Sequence, residues 1–128
     1  MNAHSSHHVW TRLAAIFMTL ISIVSTHAQT VDYTKQIVPL WDTYCVDCHS
    51  ADDADGEFAL DTFAALMKGG EEGVAIVAGK AEESLLVKFL EGRSGRGGKN
   101  EFMPPGKRDK LKPEEIALIK AWINAGAK

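Results

Sequence analysis

The chain has 128 residues, 14 of them basic and 17 acidic, for a formal charge of −3, and 45% of its residues are hydrophobic. The acidic balance excludes a general nucleic-acid partner, whose phosphates select a basic surface. The hydrophobic share is ordinary for a globular protein, and there is neither a repeat nor a low-complexity tract, which leaves one small folded domain.

The first 28 residues carry a single charge, Arg12, then the apolar run 13–24, then Thr26-His27-Ala28. This pattern predicts a secretory signal peptide over 1–28, cut after Ala28, with 29–128 as the mature domain. The run is shorter than the ~20 residues a spanning helix needs, so an uncleaved membrane anchor is the weaker reading. No cysteine stands at the cut site, which excludes a lipoprotein anchor. The expected location is periplasmic or secreted, with no stable membrane insertion once the signal is removed. Four of the five histidines leave with the signal, and the mature charge becomes −4, from 13 basic and 17 acidic residues.

Asp32 is a plausible N-cap for the first predicted helix, whose Ile37, Trp41, Tyr44 and Cys48 recur at helical spacing on one face. Pro39 falls inside it, removes a backbone hydrogen bond and should kink the first turns. The helix is expected to deliver Cys45-Val46-Asp47-Cys48-His49 at its C-terminal end. A Cys-x-x-Cys-His run is the attachment signature of a c-type haem. Scattering two cysteines and one histidine over about 100 positions yields it by chance on the order of 1 in 5,000 times. On a helical turn, positions i, i+3 and i+4 share a face, so both thiols can reach the two vinyl groups of one porphyrin while the imidazole reaches its iron. Two other readings are weaker. A redox dithiol is expected near a βαβ pattern, which is missing here, and zinc would lack a fourth Cys or His ligand.

Asp61 is the expected cap of a short helix with Phe63, Leu66 and Met67, stopped by Gly69-Gly70. A third helix is expected over 81–91, with Leu85, Leu86, Phe89 and Leu90 facing inward and Gly92 as its stop; the glycine-rich 92–98 reads as a flexible loop. The last begins at Pro113, with Glu114 and Glu115 in its first turn, Ile116, Ile119 and Ile123 facing one way, and Gly126 at its end. Trp41 and Trp122 are read as large core groups.

In this order the pieces resemble a class I c-type cytochrome. Phe58-Ala59-Leu60-Asp61-Thr62, Val77-Ala78-Gly79-Lys80 with Glu83-Ser84-Leu85, Met103-Pro104-Pro105, Leu111-Lys112-Pro113-Glu114-Glu115-Ile116 and Ala121-Trp122-Ile123-Asn124-Ala125-Gly126-Ala127 are similar to the planctomycete-type cytochrome c domain. The resemblance implies an all-α, small class I cytochrome c fold of three to five helices around one covalently bound haem c. The similarity to class I cytochromes, whose end helices cross, also implies that Ala117, Ala121 and Ala125 permit close approach there. Two positions depart from the family pattern. Ala81 replaces a frequent proline and Lys112 a frequent Ser or Thr cap, at some cost in helix-end stability.

With His49 as the proximal iron ligand, the mature chain has no second histidine, so the distal ligand falls to Met103, Met67, a lysine or an open site. Met67 sits at helical spacing with Phe63 and reads as core. Met103 lies in a proline-stiffened loop that can hold a thioether towards the iron with little freedom to lose, and it is the expected distal ligand. Leu60 and Phe102 are expected to pack on the haem, and the other ring nitrogen of His49 should find an acceptor. Many class I cytochromes use a proline carbonyl there, but 52–60 contains no proline, so another carbonyl must serve.

His/Met ligation predicts an electron carrier between protein redox partners, monomeric, and without substrate chemistry. A haem-based sensor or peroxidase-like enzyme with a labile Met103, and a haem-free dithiol oxidoreductase, are the alternatives. Residues 93–112 carry seven basic side chains (Arg93, Arg96, Lys99, Lys107, Arg108, Lys110 and Lys112) against Glu101 and Asp109, a local +5. A partner with an acidic docking patch is expected there.

Overall fold

The computed structural model describes residues 30–94 and 100–128. The signal peptide expected over 1–28 lies outside them, as do Arg96 and Lys99. Among the described residues the fold is all-α with no named strand: four α-helices, α1 (Val38–Tyr44), α2 (Phe63–Lys68), α3 (Leu85–Leu90) and α4 (Pro113–Asn124), joined by long loops with short 3₁₀ turns. None of these helices is long and apolar enough to cross a membrane.

Asp32 caps the first element as expected, its carboxylate accepting the Lys35 amide at 3.0 Å. The chain then makes a π turn, Tyr33–Ile37, before α1. Pro39 has no amide to give the helical ladder and its ring crowds the carbonyl four residues back, so the turn before it widens rather than kinking a continuous helix. The helix also ends earlier than its apolar spacing predicts, at Tyr44, and the Cys-x-x-Cys-His segment is a separate turn.

Three further elements differ from expectation. Thr62, not Asp61, caps α2, its hydroxyl accepting the Ala65 amide at 3.1 Å, while the Asp61 carboxylate accepts the Ala51 amide at 3.1 Å and ties this corner to the cysteine turn. The expected helix over 81–91 is split into a 3₁₀ turn, Ala81–Glu83, and α3. At the break the fully buried Ser84 is extended, and its hydroxyl accepts the Val77 amide at 2.9 Å and donates to the Lys80 carbonyl at 2.9 Å. Lys112 stands at the α4 N-cap, where an ammonium cannot accept an amide; Glu115 compensates by accepting the Lys112 amide at 2.7 Å.

The core joins Ile37 and Trp41 to Leu66, Val87, Ile119, Trp122 and Ile123, all essentially sealed from solvent. α4 packs on the Tyr33–Ile37 turn, on Ala81–Glu83 and on α3. It does so through Ile119, Trp122 and Ile123, whereas Ala117, Ala121 and Ala125 face solvent. The predicted alanine crossing is therefore replaced by large side chains interlocking with the Tyr33 turn, where the Tyr33 and Trp122 rings lie 5.0 Å apart. Asn124 closes the helix end against the next element, its side-chain oxygen accepting the Ala81 amide at 2.9 Å.

Candidate functional site

The α1 exit positions the cysteines. Cys45 and Val46 amides both donate to the Trp41 carbonyl, at 2.9 and 3.0 Å, and Cys45 leaves the helical region. Its carbonyl then accepts from Cys48, at 3.1 Å, and from His49, at 3.0 Å, so one turn of backbone gathers both thiols and the imidazole. Both cysteines are free thiols and half-buried. Burial pushes the Cys45 thiol up to about 12, so it stays neutral at ordinary pH.

The chain next folds back beneath His49. The Asp55 amide donates to the Cys48 carbonyl at 3.0 Å, and the Leu60 amide to the His49 carbonyl at 2.7 Å. This return brings the Phe58 carbonyl 3.0 Å from His49 Nδ1 and the Phe58 ring edge-on to the imidazole. A carbonyl only accepts, so Nδ1 carries the proton and Nε2 keeps its lone pair for a metal. Phe58 is thus the acceptor that sequence reasoning left without an identity. Residue type offered no signal for it, because every residue carries a carbonyl.

These groups open onto a cleft of about 350 Å³, within the ~300–1,000 Å³ usual for small-molecule and cofactor sites. Cys45, Cys48 and His49 line it from one side, Leu60, Ala75 and the α3 residues Leu86, Phe89 and Leu90 make its apolar wall, and Met103 and Pro105 enter from the loop before α4. Asp55, Glu71, Glu72 and Glu101 give it an acidic rim. Gly70 sits in that wall because a side chain there would press on the Gly56 carbonyl and Phe58 Cβ, at 2.5 and 2.8 Å.

Of the residues singled out from sequence, the structure brings Cys45, Cys48, His49, Leu60 and Met103 to one cleft. Phe102 is placed elsewhere. It is 52% exposed, and its ring lies over Gly92, where any Cβ would overlap it. Pro104 follows it into the protein while Phe102 faces out, so its contact is with the α3 exit rather than the cleft wall. Met67 is also apart, half-buried beside Tyr33, Phe63 and Ala127 in a larger, more open groove.

A family model described as Planctomycete cytochrome C matches residues 45–106. Over those residues the chain is similar to the planctomycete cytochrome C domain. The match begins on Cys45 and ends just past the Met103 loop, so it spans both sides of the cleft. No curated protein and no solved structure matches the chain. Haem binding for electron transfer is the general property of a cytochrome c domain, and the cleft fits that group. It offers two thiols three residues apart, an imidazole with its second nitrogen already engaged, an apolar wall and a thioether.

Proposed function

We propose that this planctomycete-type domain is an exported monohaem cytochrome c that passes electrons between protein partners. The observation that carries the reading is the convergence of Cys45, Cys48, His49 and the distant Met103 on one apolar cleft. A haem held there supplies a one-electron iron couple. Cys45 and Cys48 would hold it through thioether bonds to its vinyl groups. His49 would give Nε2 to the iron while the Phe58 carbonyl fixes its ring. Met103 would offer a neutral thioether, which would favour the ferrous state and raise the potential, and with His49 and Met103 both engaged the domain would transfer electrons and do no substrate chemistry. A dithiol oxidoreductase is disfavoured, because such catalysis needs an acidic thiol and burial drives Cys45 the other way.

Expression with a haem-attachment system followed by intact-mass measurement tests the attachment. The mass should rise by one haem, and the haem should resist extraction into acidified organic solvent. Carbon monoxide tests the distal ligand. Ferrous wild type should bind it poorly and Met103→Ala readily, whereas Met67→Ala should bind like wild type and lose at most about 2 kcal/mol of stability, since Met67 is only half-buried. Ready binding by wild type, unchanged in Met103→Ala, would favour the sensor or peroxidase-like reading.

Docking to an acidic patch remains our proposal for the partner, resting on charge alone. We assign the contact to Lys107 and Lys112, exposed charges beside the Met103 loop, since Arg93 pairs with Glu82 at 2.8 Å and with Glu91, Arg108 lies 3.8 Å from Asp47, and Lys110 bonds the Pro104 and Gly106 carbonyls. Export and a monomeric state complete the reading. They rest on the signal-like 1–28 pattern and on a carrier's need to reach two partners in turn.

A further inference from the structure

We infer that Lys110 is a positioning residue that clamps the Met103 loop, an inference that rests on Met103 being the distal ligand. Met103-Pro104-Pro105-Gly106 has two consecutive residues without an amide proton, so the loop cannot close on itself with its own donors around the prolines. Pro104 is buried, and its carbonyl would lose water without gaining a partner.

The Lys110 ammonium fills that gap. It donates to the Pro104 carbonyl and, at 3.1 Å, to the Gly106 carbonyl, reaching back from the far end of the same loop. The entry to the loop is held differently. The Met103 amide donates to the Phe89 carbonyl at 3.1 Å, and the Phe102 ring rests on Gly92, both at the end of α3. Met103 is thus pinned on its amide side by α3, and on its carbonyl side by one charged side chain. A charged donor shared by two carbonyls is the stronger kind of hydrogen bond, and three rotatable N–H groups on a long stem suit two acceptors that are not coplanar.

Removing the ammonium should free the carbonyl side of Met103 and raise the rate at which its sulfur leaves the iron. The test uses the haem-loaded wild type, Lys110→Met, which keeps most of the stem, Lys110→Arg, which keeps charge and donors, and Met103→Ala. Two signals are read. One is the far-red sulfur-to-iron charge-transfer band of the ferric protein, and the other is the rate of carbon monoxide binding to the ferrous protein. Lys110→Met should weaken the band and bind about tenfold faster or more, at unchanged helical circular dichroism, with Lys110→Arg close to wild type. A full-strength band and a wild-type rate in Lys110→Met would overturn the clamp. If Lys110→Met does not fold, Lys110→Arg decides by itself: wild-type band and rate support a donor held at this site, and a lost band with intact helix overturns the ability of any cation to serve. A wild type without the band, and with the rate of Met103→Ala, would instead remove Met103 as ligand, a different failure from that of the clamp.

Discussion

His49 and Met103 face the same cleft but are held by different means. Between residues 48 and 60 the His49 side is held mainly by backbone: the His49 carbonyl accepts the Leu60 amide, its ring Nδ1 donates to the Phe58 carbonyl, and the Cys48 carbonyl accepts the Asp55 amide. Among the described residues, the Met103 side has backbone bonds only before the prolines, from Met103 to Phe89 and from Glu101 to Ser94, and beyond them it depends on side chains, the Lys110 ammonium and the Phe102 ring. A short segment that returns on itself can satisfy its own amides, whereas a loop with two prolines must borrow donors. The difference predicts a rigid side that tolerates surface substitutions and a conditional side that responds to them.

The comparison is broken most completely by removing the group that both sides enclose. Cys45→Ala with Cys48→Ala should leave weak helical circular dichroism and no cooperative melt, because a chain of this size buries only about two thirds of its unfolded surface and the cleft walls would face a void. A native-like melt would show that the two sides fold around nothing.

Gly70→Ala addresses the rigid side. A methyl there presses on the Gly56 carbonyl and on Phe58 Cβ, so the Phe58 carbonyl must shift or the strain must be borne. The expected loss is about 1–3 kcal/mol by chemical denaturation, with a measurable change of reduction potential as the His49 hydrogen bond is disturbed. A wild-type denaturation midpoint would mean that this wall yields as easily as the Met103 loop.

The same contrast governs what was legible in the sequence. The Cys-x-x-Cys-His turn and the Met103 loop could be read because their chemistry depends on residue type, and the all-α class followed from helical spacing and caps. Phe58 could not be read, since its function lies in a carbonyl. Asp61 and Thr62 are both good caps, and only the amide of Ala51, brought close by the fold, decides which one is left for α2. The alanines of α4 were misplaced for a physical reason. Spacing shows that residues share a face, but the rotation of that face towards core or solvent is settled by the partner element, here the Tyr33–Ile37 turn.

Among partner contacts, Lys107→Glu with Lys112→Glu should slow electron transfer to an acidic partner severalfold at low salt and much less at high salt, since exposed charges are screened beyond ~10 Å at 0.1 M. Stopped-flow rates across an ionic-strength series provide the check. A rate that rises in the variant would move the docking surface to the acidic rim formed by Asp55, Glu71 and Glu72.

The smallest effect is a pH response confined to the Met103 side. α3, which holds the Met103 amide through Phe89, is followed by Glu91 at its C-terminal cap, and Lys120 of α4 bonds Glu91 at 2.9 Å and also pairs with Glu82. The Lys120 hydrogen bond, with help from Arg93, holds the Glu91 carboxyl below its ordinary 4.5, while Glu82 and Glu91 raise Lys120 above its ordinary 10.5. A lowered acid stabilises the fold above its unfolded value and loses that contribution as pH falls through its folded one. A raised base does the reverse, stabilising below its unfolded value and losing that contribution as pH rises through its folded one. The network therefore contributes fully only between about pH 4.5 and 10.5. The pairs are partly exposed, so Glu91→Gln should lower the thermal midpoint near pH 7 by only a few degrees, on the order expected for surface ion pairs. As pH falls through the lowered folded value of the wild-type carboxyl, which then becomes protonated, the two midpoints should converge. Scanning both proteins from neutral pH into acid tests this, and a gap that stays equal throughout would show that Glu91 acts through packing and not through its charge.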